Sequence, residues 1–120
     1  MSRARKDTGD WGEELAAAHL EAHGLTVLRR NVRTDFGELD LLAWDADTLV
    51  FVEVKAFERL ASGSDPAENV HVAKQRRLAR IARSILAGYR PEPYCRFDVV
   101  TVLRQPQLRI EHHRGAFILT

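Results

Sequence analysis

The chain has 120 residues, with 18 Lys and Arg against 17 Asp and Glu for a net charge of +1, and 45% hydrophobic and 29% charged content. That length suits one domain with one core, and the composition is that of an ordinary globular protein. No apolar run approaches the roughly 18 residues of a membrane helix. The basic start Met1-Ser2-Arg3-Ala4-Arg5-Lys6-Asp7 lacks the apolar stretch of a secretory signal, and lone Cys95 forms no internal disulfide, so a cytoplasmic protein without a membrane partner is expected.

A first periodic stretch predicts a helix from about Thr8 to His23, with Asp10 and Glu13 spaced as a capping box and Gly24 as its stop. Leu25 to Arg33 reads as a strand, Asp35-Phe36-Gly37 as a turn, and Gly37 to Trp44 as a second strand. Asp45-Ala46-Asp47 turns into a third, Thr48 to Phe57, and such short separations imply antiparallel neighbours. Glu58 to Asn69 contains Ser62-Gly63-Ser64-Asp65-Pro66 and reads as a loop. Val70 to Ala87 is a second helix, with Asn69 as N-cap and Gly88 as stop. Pro91 and Pro93 bracket a connection to two more strands, Arg96 to Leu103 and Leu108 to His112. The expected architecture is α/β: a single domain over residues 1–120, with a central mixed five-stranded sheet flanked by helices in the order α-β-β-β-α-β-β.

Three charges interrupt the apolar strands: Asp40 in Gly37-Glu38-Leu39-Asp40-Leu41-Leu42, and Glu53 and Lys55 in Val50-Phe51-Val52-Glu53-Val54-Lys55. An ionised carboxylate in buried sheet costs several kcal/mol unless it is compensated. Strand alternation puts Glu53 and Lys55 on one face, beside Phe51. On the preceding strand Glu38 and Asp40 share a face opposite Leu39, Leu41 and Ala43. Asp40, Glu53 and Lys55 become neighbours if the apolar faces stack on one layer, although a slip of one residue would send Asp40 to the other side. In the first helix Glu13 lies in line with Leu20 and beside Ala16 and Ala17, so it is the glutamate best placed to face the sheet. In the second, Leu78, Ile81, Ala82 and Ile85 form the apolar face, which Lys74 shares, placed in the first turn to reach the site or a phosphate, while Arg76, Arg77, Arg80 and Arg83 form the opposite stripe.

Converging carboxylates of this kind suit a hard divalent cation such as Mg²⁺, which takes oxygen ligands and keeps several waters. Such a metal polarises a phosphoryl oxygen and lowers the pKa of a bound water, while an adjacent lysine positions the attacking water. Asp40 and Glu53 are therefore candidate metal ligands, Glu13 a candidate third, and Lys55 the candidate lysine. His19 and His23 have i,i+4 spacing but lack the glutamate directly after the first histidine and any cysteine cluster, so they read as surface residues. Cys95 reads as a small core or strand residue, and Trp11 and Trp44 as packing residues.

Asp on one strand followed by Glu-x-Lys on the next resembles the PD-(D/E)xK nuclease superfamily, which includes restriction-endonuclease-like folds and archaeal Holliday junction resolvases. More narrowly, the whole chain resembles the bacterial YraN-like family. The matching residues are Gly9-x-x-Gly12-Glu13-x-x-Ala16, Arg30-Asn31, Gly37-Glu38-Leu39-Asp40-Leu41, Phe51-Val52-Glu53-Val54-Lys55, Pro66-x-Glu68-x-Val70-x-x-x-Lys74, Arg96-Phe97-Asp98-Val99-Val100 and Ala116-Phe117. The resemblance implies a restriction-endonuclease-like domain, Mg²⁺ or Mn²⁺, and a nucleic-acid substrate, DNA in the first instance and branched or processed intermediates within it. The family's Glu-Val-Lys is followed by one residue and then an arginine; here Ala56 and Phe57 stand there and the next basic residue is Arg59, a displaced candidate phosphate contact.

Plainer readings stand beside these. A structural salt bridge at a sheet edge would explain Asp40, Glu53 and Lys55, a capping box would explain Glu13, and a snorkelling side chain would explain Lys74. A solvated face is the usual explanation of an arginine stripe, against nucleic-acid contact through several phosphates. The leading expectation is a metal-dependent endonuclease. The alternatives are a nucleic-acid-binding module that keeps the fold without efficient catalysis, and a protein-interaction domain. A homodimer would match a two-fold symmetric substrate.

Overall fold

The computed structural model describes residues 3–59 and 72–117. Two helices and five strands follow one another as α1 (Arg3–Ala22), β1 (Thr26–Thr34), β2 (Gly37–Asp45), β3 (Thr48–Phe57), α2 (Val72–Leu86), β4 (Tyr94–Leu103) and β5 (Arg109–Phe117). The strands form one sheet in the order β1-β2-β3-β4-β5. Only β3 and β4 pair in parallel, with α2 in the crossover between them; the other neighbours are antiparallel. The expected α/β class and element order are those observed.

The two faces of the sheet carry separate cores. On one, Ala16, Ala17 and Leu20 of α1 pack with Leu25, Leu41, Ala43, Val50, Val52, Val100 and Val102. On the other, Leu78, Ile81, Ala82 and Leu86 of α2 pack with Val32, Leu39, Leu42, Leu49, Phe51 and Phe97. The centre of β3 is buried on both faces, which explains its near-continuous apolar run. The aromatic and sulfur residues expected to pack do so. Trp44 meets Tyr89 edge-on at 5.9 Å, the Arg104 guanidinium lies 4.8 Å over the Trp11 ring, and Cys95 is a half-buried β4 residue beside the α2-side core.

The boundaries differ in instructive places. Helix α1 starts at Arg3, not near Thr8, so Asp10 and Glu13 lie in its interior and no capping box forms there. Arg3, Ala4, Arg5 and Lys6 are good helix formers without an apolar period to reveal them. Gly24 does end the helix: at φ 93° it lets Leu25 N–H reach Leu20 C=O at 3.0 Å and its own N–H reach Glu21 C=O at 3.2 Å, a Schellman arrangement. Strand β5 runs on to Phe117 instead of stopping near His112. Leu39 packs with the α2-side core, not with Leu41 and Ala43, because side-chain alternation along β2 breaks at Asp40. The predicted loop from Glu58 to Asn69 lies, from residue 60 onward, outside the described residues, as do the Asn69 cap and the Pro66, Glu68 and Val70 motif positions.

The outer edge at β1 is interrupted. Leu28 is an extra residue between the pairs Val27–Ala43 and Arg29–Leu42, Asn31 has a left-handed φ of 52°, and the Val27 N–H is taken by Glu21 Oε2 at 3.0 Å.

Helix α1 approaches β3 closely at Gly12, where an added Cβ would run into the Ala56 Cβ. Neither a short Cβ nor a strand backbone can swing aside, so Gly12→Ala should destabilise the fold by about 1–3 kcal/mol. Chemical denaturation checks this, and adding Ala56→Gly should restore most of the loss; a Gly12→Ala protein as stable as the parent would show that α1 sits further from the sheet.

Candidate active site

Pairing between β2 and β3 begins at the Asp45–Thr48 turn and ends at Leu41–Val52. Beyond that point β2 parts from β3, and the Asp40 side chain fills the gap: Oδ2 accepts the Val54 N–H at 2.8 Å. A carboxylate thus replaces a backbone carbonyl in the ladder, which satisfies a donor that would otherwise be orphaned. Glu53, one residue earlier on β3 and 9% exposed, hydrogen-bonds the Asp40 carboxyl. Lys74, in the first turn of α2 and on its sheet-facing side, closes on Glu53 with Nζ 2.5 Å from Oε1. Lys55 follows two residues after Glu53 on the same face of β3, half-buried, opposite Thr101 of β4.

Glu13 arrives from the other helix. It is half-buried, and its charge bears on Asp40. Its own carboxyl is raised above the usual range by burial first and then by Glu38 and Asp10, against a lowering hydrogen bond from the Asn31 side chain and the nearby Arg30. The site therefore occupies a split in the sheet where α1 reaches in from one face and α2 from the other.

The electrostatics of this cluster are those of crowded acids. Burial, then the Glu53 charge, pushes Asp40 up from 3.8 to about 8, against the lowering effect of the Val54 N–H. At neutral pH Asp40 keeps a proton that an exposed carboxylate would have lost.

The sequence-predicted residues divide accordingly. Asp40, Glu53 and Lys74 are brought into contact, Lys55 lies on their face of β3, and Glu13 stands within electrostatic range. Among the described residues no group of three or more His, Cys, Asp and Glu is gathered as a metal-holding cluster, so the Asp40, Glu53 and Glu13 trio is not assembled as such; two adjoining carboxylates are. Arg76, Arg77, Arg80 and Arg83 are exposed along α2, with Arg77 lying over Gly37 at the β1–β2 turn. Arg59 donates to Gln105 Oε1 at 2.8 Å. His23 Nδ1 lies 2.7 Å from the His19 carbonyl oxygen and its ring stacks on His19, in keeping with a surface pair.

Two features escaped sequence reasoning. Asn31 stands opposite Asp40 in the β1–β2 register with a left-handed φ of 52°, a placement only the fold shows, although a polar residue inside an edge strand was its signal. Asp98 is fully buried on the α1 side of β4. It accepts from Arg96 Nε at 3.0 Å and Nη2 at 3.1 Å, from His112 Nε2 at 2.6 Å and from Gly115 N–H at 3.0 Å. Burial alone would raise its carboxyl, but these donors hold it below the usual range. Its signal was a lone acid within Phe97-Asp98-Val99-Val100. This network is satisfied internally and reads as structural.

Because Asp40 binds its proton more tightly folded than unfolded, its contribution to stability is fully present below about pH 4 and is lost as pH rises through about 8. Asp40→Asn should flatten that part of the pH dependence, as measured by denaturation midpoints between these limits. Carbon-13 titration of the Asp40 carboxyl in the metal-free protein should fall toward the ordinary range in Glu53→Gln. A midpoint that Glu53→Gln leaves unchanged would show that Glu53 does not act on Asp40.

The comparisons with known proteins agree on one family. The model of the uncharacterised protein family UPF0102 matches residues 12–102, a span that includes every site residue named above. A UPF0102 protein of Syntrophotalea carbinolica is 42% identical over 98% of this chain and 96% of its own length. One from Symbiobacterium thermophilum is 50% identical over 85% and 86%, and one from Beutenbergia cavernae 47% identical over 94% and 98%. With the family model matched over residues 12–102 and relatives 42–50% identical over most of their length, the chain belongs to the UPF0102 family, the YraN-like proteins.

Proposed function

We propose that this protein is a metal-dependent endonuclease that hydrolyses phosphodiester bonds of DNA, with branched or processed intermediates as the candidate substrates. The supporting observation is the Asp40–Glu53 pair, a half-buried and a buried carboxyl adjoining in a split of the sheet, crowded enough to raise Asp40 to about 8. Acids forced together in this way bind a cation readily, because the cation relieves the repulsion that otherwise requires a proton.

The donor set fits Mg²⁺ or Mn²⁺. One or two carboxylates with several waters are enough for such an ion, and Asp40 and Glu53 would hold it, with Glu13 as an outer carboxylate. When bound, the ion would polarise a phosphoryl oxygen and acidify a water. The chain's own residues do the rest. The Val54 N–H fixes the Asp40 carboxylate in place. Lys55, on the Glu53 face, orients the attacking water and balances charge building on the phosphate. Lys74 holds Glu53 in position through its ammonium. The exposed Arg76, Arg77 and Arg80 supply backbone contacts along α2, with Arg83 and Arg59 as further candidates.

A second reading has its own support: Lys74 already neutralises Glu53, and Ala56 and Phe57 stand where the family pattern carries an arginine two residues after Lys55. On that reading the protein binds nucleic acid with little or no turnover.

Cleavage of labelled single-stranded, duplex, flap and four-way-junction DNA, and of RNA, in Mg²⁺, Mn²⁺ or EDTA separates the two. The enzyme reading expects metal-dependent cleavage that Glu53→Gln reduces to background while the circular dichroism spectrum is kept; cleavage by Glu53→Gln at the parent rate rejects the assigned site. Binding should weaken steeply with salt, and replacing Arg76, Arg77 and Arg80 with Gln should lower the log–log salt slope by about 0.9 for each phosphate that α2 no longer neutralises. An unchanged slope would remove α2 from the interface.

A further inference from the structure

A groove of about 480 Å³ runs between β1 and α2, on the α2 side of the sheet. Arg29 and Arg33 line it from β1, and Ser84 and Tyr89 line it from α2 and the turn that follows. Val32, Leu42 and Ile85 form its apolar part. One acid, Asp35, stands in it against the two guanidinium groups, and both arginines are exposed. Arg33 meets Glu38 at 3.4 Å, but the two side chains are 86% and 41% exposed. Surface pairs of this kind contribute little, so a phosphate can displace this one.

The groove on the opposite side of β1 gives a contrast. It measures about 440 Å³ and is lined by Arg29 and Arg30, with Glu14 and Glu21 to offset them. Of the two, the α2-side groove combines an excess of positive charge with hydroxyl groups and an apolar floor. That combination suits phosphates on the guanidinium groups and bases on the apolar part. Its volume is that of a small-ligand cleft, so it admits a strand whose bases are unpaired and not a whole duplex.

Two further observations relate the groove to the Asp40–Glu53 pair. Its end at Thr34 and Asp35 lies in the β1–β2 turn, where Arg77 and Ile81 pass close over Gly37. Arg77 is three residues after Lys74, the partner of Glu53, so about one helical turn separates that end from the pair. Ser84, at the other end, is ten residues after Lys74 on α2, about 15 Å along the axis. The tip of the same β1–β2 turn carries Phe36, 49% exposed. The turn is fixed: the Phe36 N–H donates to Thr34 Oγ1 at 3.1 Å, and the Thr34 hydroxyl donates to the Gly37 carbonyl at 2.9 Å. An exposed aromatic on a fixed turn among arginines is a platform on which an unpaired base stacks.

We propose that the β1–α2 groove binds a single strand of nucleic acid and leads it to the Asp40–Glu53 pair, with phosphates on Arg29 and Arg33 and a base stacked on Phe36. This rests on the nucleic-acid reading above and narrows it to substrates with unpaired nucleotides.

Fluorescence anisotropy of a labelled oligothymidylate and of a duplex of equal length, both in EDTA so that nothing is cleaved, tests this on the full chain. The oligothymidylate should bind about tenfold or more tightly than the duplex. Arg29→Gln/Arg33→Gln should weaken it about tenfold or more and lower the log–log salt slope by roughly 0.7 for each phosphate no longer neutralised. Ser84→Glu should weaken binding and Ser84→Lys strengthen it; opposite signs at one exposed helix position are not produced by loss of folding. Phe36→Ala should lose about fivefold or more, and Phe36→Tyr should keep most of the affinity. Equal affinity for the duplex overturns the proposal, as does oligothymidylate binding unchanged in a folded Arg29→Gln/Arg33→Gln, a shared sign for the two Ser84 variants, or a parent that binds neither probe. The endonuclease reading fails separately. Metal-dependent cleavage with strand binding indifferent to the groove variants removes the groove and keeps the enzyme; groove-dependent binding without cleavage keeps the groove and removes the enzyme.

Discussion

The bond from the Val54 N–H to Asp40 is the constraint on which the rest of the site depends. It ends the β2–β3 ladder without leaving a buried donor unsatisfied. It also fixes a carboxyl within reach of Glu53, which β3 alternation places on the same side as Lys55. Once those acids are fixed, the helices have defined work: α2 brings Lys74 to Glu53, and α1 brings Glu13 into the field of Asp40. The close approach of α1 at Gly12 is part of the same geometry, since Glu13 is the next residue along.

A second aspartate gives a useful contrast. Asp98 also replaces a missing ladder acceptor, here for the Gly115 N–H where β4 and β5 lose register. Asp98 is fully buried and Asp40 half-buried, and both repair a sheet defect. Their partners differ: Asp98 is surrounded by Arg96 and His112 and is held below the usual range, whereas Asp40 faces Glu53 and Glu13 and is driven up. The first arrangement is complete as it stands. The second is short of positive charge, and that shortage, more than burial itself, separates a candidate catalytic acid from a structural one.

Much of this was legible in the residues. Gly24, the short hairpin turns and the apolar faces of α2 gave the element order, and the lone charges in apolar strands singled out Asp40 and Glu53. Lys74 stood out for its place on an apolar helix face, and there it is found. What failed was whatever depends on partners distant in sequence. The pair Asp10 and Glu13 has capping-box spacing, but spacing cannot show that Arg3 to Lys6 already belong to the helix. The end of β5 was missed because His112, His113 and Arg114 break the apolar pattern, and the strand continues through a bulge tied to Asp98. Regular alternation put Leu39 with Leu41, whereas the two separate at Asp40, opposite the left-handed Asn31.

The interrupted edge at β1 has a consequence of a different kind. An open strand edge is a template for another chain, and proteins guard against it with bulges, charge and covered donors. Here the extra residue at Leu28, the left-handed Asn31, the arginines at 29, 30 and 33, and the Glu21 carboxylate on the Val27 N–H all fall on that edge. The irregularity that shapes the site therefore also spoils β1 as a surface for aggregation, and a second copy of the chain finds no continuous ladder there to extend.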